Sequence, residues 1–528
     1  MFDPAMFERK ADVRGVYPNQ INEELAWLAG KYLTQSLKKE LSGAAPKVMV
    51  GRDGRTSSPA IYSSLIQGIA SEGGEPIACG LSTTDMIQWG VGEGICGAVA
   101  GVMITASHNP PQYNGIKSVM KSPETGGIDI LRPLDHMAPR YEEDSDNGAT
   151  PAATCSPFPS NGKMNLQSRF VDAALTRSNR LKDAKGKVVL DPGNGVGGLF
   201  RPLLSRALKA IGAEVELLAV AEQIDGTFPT RPSNPGLPGA VKLLQETVVA
   251  EGAEFGAAFD GDADRVFLVD EWGQFVPGSV LLAALAKAMV EKNGGNGSVV
   301  YSAVSSWLVP ETVRAAGGKA ILCRVGQDAA KVALTKTDAV FGGESSAHYN
   351  FPDTYCLDSG LFALVTFWDM LLETGLKCSQ LLGQLKPWPA SGEVNLRVEC
   401  SDWKAMSAEV ISTIKKEYGT DEKNSYVLDI DGVSVFHPRK PEFATVDDVF
   451  TIDKSGDPTG TIYREVQNYT PDWWFNIRAS NNEPLLRVNF ESRDAADVTG
   501  RTYSLISRIR EICGDRARVD VQDWGNLK

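Results

Sequence analysis

The chain has 528 residues, 42% hydrophobic and 23% charged, enough for three or four domains with buried cores. Its net charge of −13, from 53 Lys+Arg against 66 Asp+Glu, argues against a general binder of nucleic acid or of an anionic membrane. An anionic substrate would need positive charge concentrated locally.

Taken in chain order, the N-terminal "MFDPAMFERKADVRG" has no apolar core of a signal peptide. Strand-like runs then alternate with helical patterns for about 390 residues. "PKVMVGRDGR" and "GAVAGVMITASHNP" end in polar loops, and so do "GKVVLDPGNGVGG", "EFGAAFDGDADR", "GSVVYSAVSSW" and "DAVFGGESSAH". Amphipathic stretches such as "VKLLQETVVA", Val241 to Ala250, lie between them. Such alternation predicts three related α/β units with mixed, mostly parallel sheets, whose ligand-binding loops follow the strands' carboxyl ends. "SVLLAALAKAMV", broken by Lys287, is too short to span a bilayer and reads as a buried helix. Breaks are expected at Asn147 to Lys163, at "DEWGQFVPGS" and at Leu385 to Glu393. Beyond the last, "EVNLRVEC", "YVLDIDGVSVF", "WWFNIRAS" and "LLRVNFES" alternate as strands, and a helix follows near Asp494 to Cys513. The expected domains are 1–163, 164–273, 274–390 and, as an α+β domain with an antiparallel sheet, 391–528. Eight cysteines without a CxxC pair read as reduced thiols in a cytoplasmic protein.

The densest chemistry is "FDGDADRV". Asp260, Asp262 and Asp264 alternate, so three carboxylates converge from one loop, an all-oxygen set suited to Mg²⁺. An EF-hand register puts Glu271 at position twelve but Arg265 where a glycine is needed; a plain acidic turn is the other reading. In "MITASHNPPQYNGIKSV", Ser107 is no hydrolase nucleophile, because Gly-x-Ser-x-Gly is absent and His108, the adjacent residue, is badly placed to deprotonate its own neighbour. A phosphoryl group on Ser107 would instead complete the coordination of a cation held by the three aspartates, and the cation would offset charge on the transferring group. Lys117 would then act as general base or acid if neighbouring positive charge lowers its pKa. Taken alone, "TASHNP" is a turn with a helix-capping serine, and Lys117 a solvated lysine. In "GGESSAHYN", Glu344 and Ser346 offer groups to vicinal sugar hydroxyls, and His348 reaches the same ligand or caps the loop. In "RASNNEPLLRVNFES", Arg478 supplies a planar fork for phosphate, and Ser480, Asn481 and Asn482 add neutral donors. Arg487 joins them or is an ordinary strand arginine paired with Glu483.

These four stretches together resemble the α-D-phosphohexomutase family, whose serine, metal, sugar and phosphate loops read T-A-S-H-N-P, D-G-D-x-D-R, G-E-x-S and R-x-S-N-T-E-P. All four occur here in order, and "ADVRG" and "VGRDGRTSS" are similar to further family stretches. The resemblance implies four domains around a central cleft and a serine, matching Ser107, that exchanges its phosphoryl group with a hexose phosphate through a hexose 1,6-bisphosphate. It implies one Mg²⁺ on Asp260, Asp262, Asp264 and Ser107. Lys117 and Arg14 would assist proton transfer and charge stabilisation, with His108 and Arg265 close by. Glu344, Ser346 and His348 would hold the sugar, and Arg478, Ser480, Asn481, Asn482 and Arg487 the other phosphate, with Arg324 a further contact. "GGESSAHYNF" is most similar to the bacterial phosphomannomutase branch, with Ser345 in place of the usual methionine; Asn482 replaces the usual threonine. Gln327 stands where a histidine or aspartate is frequent, so no proton-transfer role is assigned to it. The implied ligand is a small hexose phosphate, without nucleic acid or membrane, and the expected assembly a monomer or homodimer.

Three other readings compete. Gly193, Gly195 and Gly198 form G-x-G-x-x-G after a strand, with Glu214 or Glu216 about 20 residues on, as an NAD-dependent dehydrogenase asks, but that leaves the other loops unexplained. A non-catalytic sugar-phosphate sensor would not need the intact serine, aspartates and lysine. Phosphoglucomutase and phosphoglucosamine mutase specificities share the mechanism.

Overall fold

A computed structural model describes residues 3–8, 12–122, 127–146, 165–420, 424–452, 463–480 and 483–527. The expected break at Asn147 to Lys163 lies outside them. The chain divides into two compact units, Met1–Pro277 with Ser346–Leu381, and Gly278–Ser345 with Leu382–Lys528.

In the first unit, β1 (Val13–Val16), β2 (Lys47–Arg52), β3 (Glu75–Leu81), β4 (Ala100–Ile104), β5 (Tyr113–Lys121) and β6 (Ile128–Ile130) form one sheet, ordered β1-β5-β4-β2-β3 with β6 beside β5. Strand β2 runs parallel to β3 and β4, whereas β5 is antiparallel to β4, β1 and β6. Strands β7 (Lys185–Asp191), β8 (Glu214–Ala219), β9 (Phe255–Phe259), β10 (Val266–Asp270) and β11 (Phe275–Val276) form a second sheet, ordered β11-β10-β9-β7-β8. Again β7 is parallel to β8 and β9, and β10 is antiparallel to β9 and β11. β4, β9 and β10 are buried along their whole length. That is why they read as continuous apolar runs rather than alternating ones.

In the second unit, β12 (Ser298–Ser302) is parallel to β13 (Lys319–Cys323) and β14 (Phe341–Gly343). The chain then returns to the first unit for the antiparallel pair β15 (Tyr349–Phe351) and β16 (Leu357–Asp358). Each of the three α/β domains thus has a mixed sheet, a three-stranded parallel core extended by antiparallel strands, as expected. Back in the second unit come β17 (Ala390–Glu399), β18 (Tyr426–Leu428), β19 (Val433–His437), β20 (Phe450–Ile452), β21 (Tyr463–Val466), β22 (Trp473–Ala479), β23 (Leu485–Ser492) and β24 (Arg518–Asp523). Six of these form the expected antiparallel sheet, ordered β18-β19-β22-β23-β17-β24. Strand β21 instead pairs with β13, Ala320 opposite Val466, and carries β20 on its far side. The helix predicted near Asp494 spans Ala495–Cys513, with the Asp494 carboxylate accepting from the Ala496 N–H. "SVLLAALAKAMV" lies in the largely buried helix Gly278–Lys292. Among the described residues, no helix is long and apolar enough to cross a membrane.

Candidate active site

In each of the three α/β domains the chemistry-bearing loop follows the third strand of the parallel core: the serine loop follows β4, the metal loop β9, the sugar loop β14. The first two lie in the first unit and meet there. Ser107 is buried with φ +50, and its N–H donates to Thr105 Oγ1 at 2.9 Å. Ser107 Oγ donates to Asp260 Oδ2 at 2.8 Å. Gly261 is required here, because a β-carbon would come within 2.5 Å of the Ser107 carbonyl oxygen.

Asp260, Asp262 and Asp264 are all buried and bring one oxygen each within 4.8 Å of one another. Lys117, opposite Met103 across β4 and β5, places Nζ 2.8 Å from Asp262 Oδ2 and 2.7 Å from Asp264 Oδ2. Thr84 adds its hydroxyl to Asp262 Oδ2 at 2.5 Å and its N–H to the Asp262 carbonyl. Burial and mutual repulsion raise Asp260 and Asp264 above the ordinary carboxylate range. Burial pushes Asp262 the same way, but the Lys117 charge and the bonds from Lys117 and Thr84 outweigh it and hold that carboxyl well below the range. Lys117 corrects the sequence expectation. Burial alone would lower its pKa, but Asp262 and Asp264 drive it up, so the ammonium stays charged.

The adjacent His108 also departs from expectation: its Nδ1 reaches 3.2 Å from Ser107 Oγ. The same nitrogen faces Arg265 Nη2 at 2.8 Å. Burial, then the charges of Arg265 and Arg14, push His108 well down, leaving the ring neutral with Nδ1 accepting from the guanidinium. Arg265 also lies 3.6 Å from Asp260. Arg14 donates to Asp12 and, at 2.9 Å, to Asn109 Oδ1. His348, buried, hydrogen-bonds through Nδ1 to Asp358 Oδ2, and its backbone bridges to Arg265. Ser346 is half-buried in the same unit.

Sequence reading missed the supports. Arg55, fully buried, pairs with Asp53 at 3.0 Å and donates to the carbonyls of Ser107, Asn109, Pro110 and Tyr113. The Asp-Gly-Arg turn of "VGRDGRTSS", charged residues directly after an apolar run, was the available signal. Arg231 does the same in the second domain, pairing with Asp191 at 2.8 Å and donating to the carbonyls of Asp191 and Phe259. This accounts for the glycine fingerprint. A β-carbon at Gly193 would meet the Arg231 guanidinium at 2.4 Å, one at Gly195 the Gly261 carbonyl at 2.8 Å, and one at Gly198 the Glu222 carbonyl at 2.3 Å. The glycines admit protein atoms, which removes the physical case for a dinucleotide.

The second unit holds the remaining expected residues. Glu344 Oε1 accepts the Gly326 N–H at 2.9 Å, and Asp431 Oδ2 accepts the Val325 N–H at 3.1 Å. Arg324 bonds Asp328 at 2.5 Å, and Gln327 opens the helix Gln327–Lys336. Arg478 on β22 stands directly opposite Arg487 on β23. Both reach Glu393, at 3.2 and 3.1 Å, whereas Arg487 and Glu483 are 4.0 Å apart. Ser480 is buried and its N–H donates to Leu485 O. Asn481 and Asn482 lie outside the described residues.

Models of the phosphoglucomutase/phosphomannomutase family match in order: alpha/beta/alpha domain I at residues 6–128, domain II at 168–273, domain III at 277–387 and the C-terminal domain at 445–501. The chain belongs to this family. An Escherichia coli phosphomannomutase is 31% identical over 522 residues, covering 95% of this chain and 98% of the relative. A phosphoglucomutase/phosphomannomutase family protein from Burkholderia thailandensis has the same fold, with TM-score 0.75 and 24% identity over 98% of this chain and all of that one. So does an N-acetylphosphoglucosamine mutase from Aspergillus fumigatus, solved with GlcNAc-6P and magnesium, with TM-score 0.54 and 14% identity over 93% of this chain and 97% of that one. The protein is a phosphohexomutase, an isomerase working by phosphoryl transfer.

Proposed function

We propose that the chain interconverts hexose 6-phosphate and hexose 1-phosphate, with mannose phosphate preferred, through a phosphorylated Ser107 and a hexose 1,6-bisphosphate. The observation that carries this reading is the Ser107 hydroxyl 2.8 Å from Asp260 within a buried triad of aspartates. In the forward half-reaction the Oγ–P bond of phosphoserine breaks and a bond from phosphorus to a sugar hydroxyl oxygen forms. In the return half, the bond from the other phosphorus to its sugar oxygen breaks, a bond to Ser107 Oγ forms, and the freed sugar oxygen regains a proton. Lys117, with Nζ 2.8 Å from Asp262 and 2.7 Å from Asp264, supplies positive charge to the transferring group together with Arg14 and Arg265. His348 receives the hydroxyl proton on Nε2, since Asp358 engages Nδ1.

The triad suits one Mg²⁺. Asp262 Oδ1 and Asp264 Oδ1 are buried and have no hydrogen-bond partner among the described residues, and the donors are hard oxygens; the Aspergillus neighbour carries magnesium by its description. Bound there with Ser107, the cation would supply Lewis-acid stabilisation of phosphoryl oxygens. Glu344 and Ser346 hold sugar hydroxyls; Arg324, Arg478, Ser480 and Arg487, with Asn481 and Asn482 from the sequence reading, hold the phosphate that is not transferring. The mannose preference rests on the Escherichia coli relative and on the loop "GGESSAHYNF". The cysteine pattern supports a cytoplasmic location, the sheets follow domains 1–163, 164–273, 274–390 and 391–528 except that β20 and β21 of the last join the sheet of the third, and a monomer or homodimer suffices for the chemistry.

Turnover of mannose 1-phosphate, glucose 1-phosphate and glucosamine 1-phosphate, with Mg²⁺ and trace glucose 1,6-bisphosphate, tests the specificity. Mannose 1-phosphate should give the highest kcat/KM; a tenfold preference for either other sugar overturns the assignment. Ser107→Ala should abolish turnover while substrate still binds, and near-wild-type turnover would end the phosphoserine mechanism.

A further inference from the structure

Strands β22 and β23 set two arginines against each other. Arg478 and Arg487 are direct cross-strand partners, an arrangement that like charges disfavour. Glu393 resolves the conflict: one oxygen accepts from Arg478 Nη2 and the other from Arg487 Nη1. All three side chains are half-buried. The carboxylate takes one nitrogen from each guanidinium. Among the described residues, Arg478 Nε and Arg487 Nε are buried without a hydrogen-bond partner, so donors remain for a further anion.

The backbone aims Glu393 at this place. Strand β17 follows β23 in register from Glu393 onward, with Glu393 opposite Asn489, but the register shifts between Ala390 and Glu393. The bulge is pinned. Ser391 Oγ accepts the Phe490 N–H at 2.9 Å, the Ser391 carbonyl accepts the Asn526 N–H at 2.7 Å, and Gly392 takes φ +66. Bulges re-aim a side chain where a regular strand would not present it.

We propose that Glu393 is the positioning residue of the phosphate clamp, fixing the planes of Arg478 and Arg487 so that the two act as one two-arginine fork on a single phosphate. This rests on the phosphate-binding reading of Arg478 given above. It assigns a role to a carboxylate that would otherwise repel the substrate, and it makes Arg487 a clamp member rather than a partner of Glu483. The opposite reading has Glu393 competing with the phosphate and keeping the clamp loose. The two readings predict opposite signs.

The test compares Glu393→Ala, Glu393→Gln and, in parallel, Arg478→Ala in the full chain. It measures KM and kcat for glucose 1-phosphate, the inhibition constant of inorganic phosphate and the thermal midpoint. Glu393→Ala should raise KM and the phosphate inhibition constant about tenfold, the worth of one charge-assisted hydrogen bond, with a smaller change in kcat. Glu393→Gln, which keeps the shape and one acceptor oxygen, should recover part of the loss and serves if the alanine variant does not fold. Unchanged or lower values in a folded Glu393 variant overturn the proposal, lower ones in favour of competition. If Arg478→Ala also leaves KM unaltered, the clamp itself is wrong; if only the Glu393 variants are silent, the clamp stands and the positioning role falls.

Discussion

The serine loop and the metal loop occupy the same place in their sheets, after β4 and after β9, and each is gripped from below by a buried aspartate–arginine pair. They differ in how the rest of the loop is held. Arg55 clasps four carbonyls around Ser107, so the backbone of the serine loop is held mainly by a side chain of its own domain, with Ser233 of the second adding one bond to the Asn109 carbonyl. The metal loop gets less from Arg231, and its side chains are bonded from the first domain: Thr84 and Lys117 to Asp262, Lys117 to Asp264, Ser107 to Asp260. A nucleophile needs a fixed backbone, whereas ligand carboxylates need counter-charges that a neighbour can supply.

The comparison breaks most directly at the two arginines. Arg55→Ala and Arg231→Ala each strand a buried aspartate and should each lower stability by about 3–5 kcal/mol, read by denaturant unfolding; under 1 kcal/mol at either site would end the parallel. Next in size is Lys117. If it serves as fixed charge, Lys117→Gln should reduce kcat/KM by about 10²–10³-fold and leave the shape of the pH–rate profile between pH 6 and 9 unaltered. A limb of the profile that vanishes with the substitution would restore the lysine as a titrating base.

The smallest effect concerns Asp85, beside Thr84. Its carboxyl is pushed up to about 8 by burial, against the hydrogen bonds from Ser359 and Thr83. The folded state therefore retains a proton that the unfolded chain loses near pH 4, and stability contributed by this group falls as pH rises from about 4 to 8. Asp85→Asn, neutral and of the same shape, should raise the thermal midpoint relative to wild type by roughly 2–4 °C at pH 9 and by less at pH 6. A difference independent of pH would show that Asp85 does not titrate there.

Local signals carried most of the fold. Apolar runs ending in Gly, Asp and Asn marked β2, β4, β7, β9, β12 and β14, and alternation marked β17, β22 and β23. The four loops were legible because their residues are close in sequence. What stayed hidden depends on partners far along the chain: Thr84 on Asp262, Ser359 on Asp85, Glu393 on Arg478 and β21 on β13. No periodicity encodes such pairings. The pKa of Lys117 was misjudged for the same reason, since the nearest positive neighbours in sequence say nothing of two aspartates some 145 residues away. The glycine fingerprint misled in the other direction: it reported the need for close approach correctly but not what approaches.

Residue 107 sits at φ +50, in left-handed territory where a side chain is tolerated reluctantly and glycine is at ease. Glycine would relieve the strain but remove the hydroxyl. A serine at this position keeps a reactive hydroxyl at the cost of backbone strain.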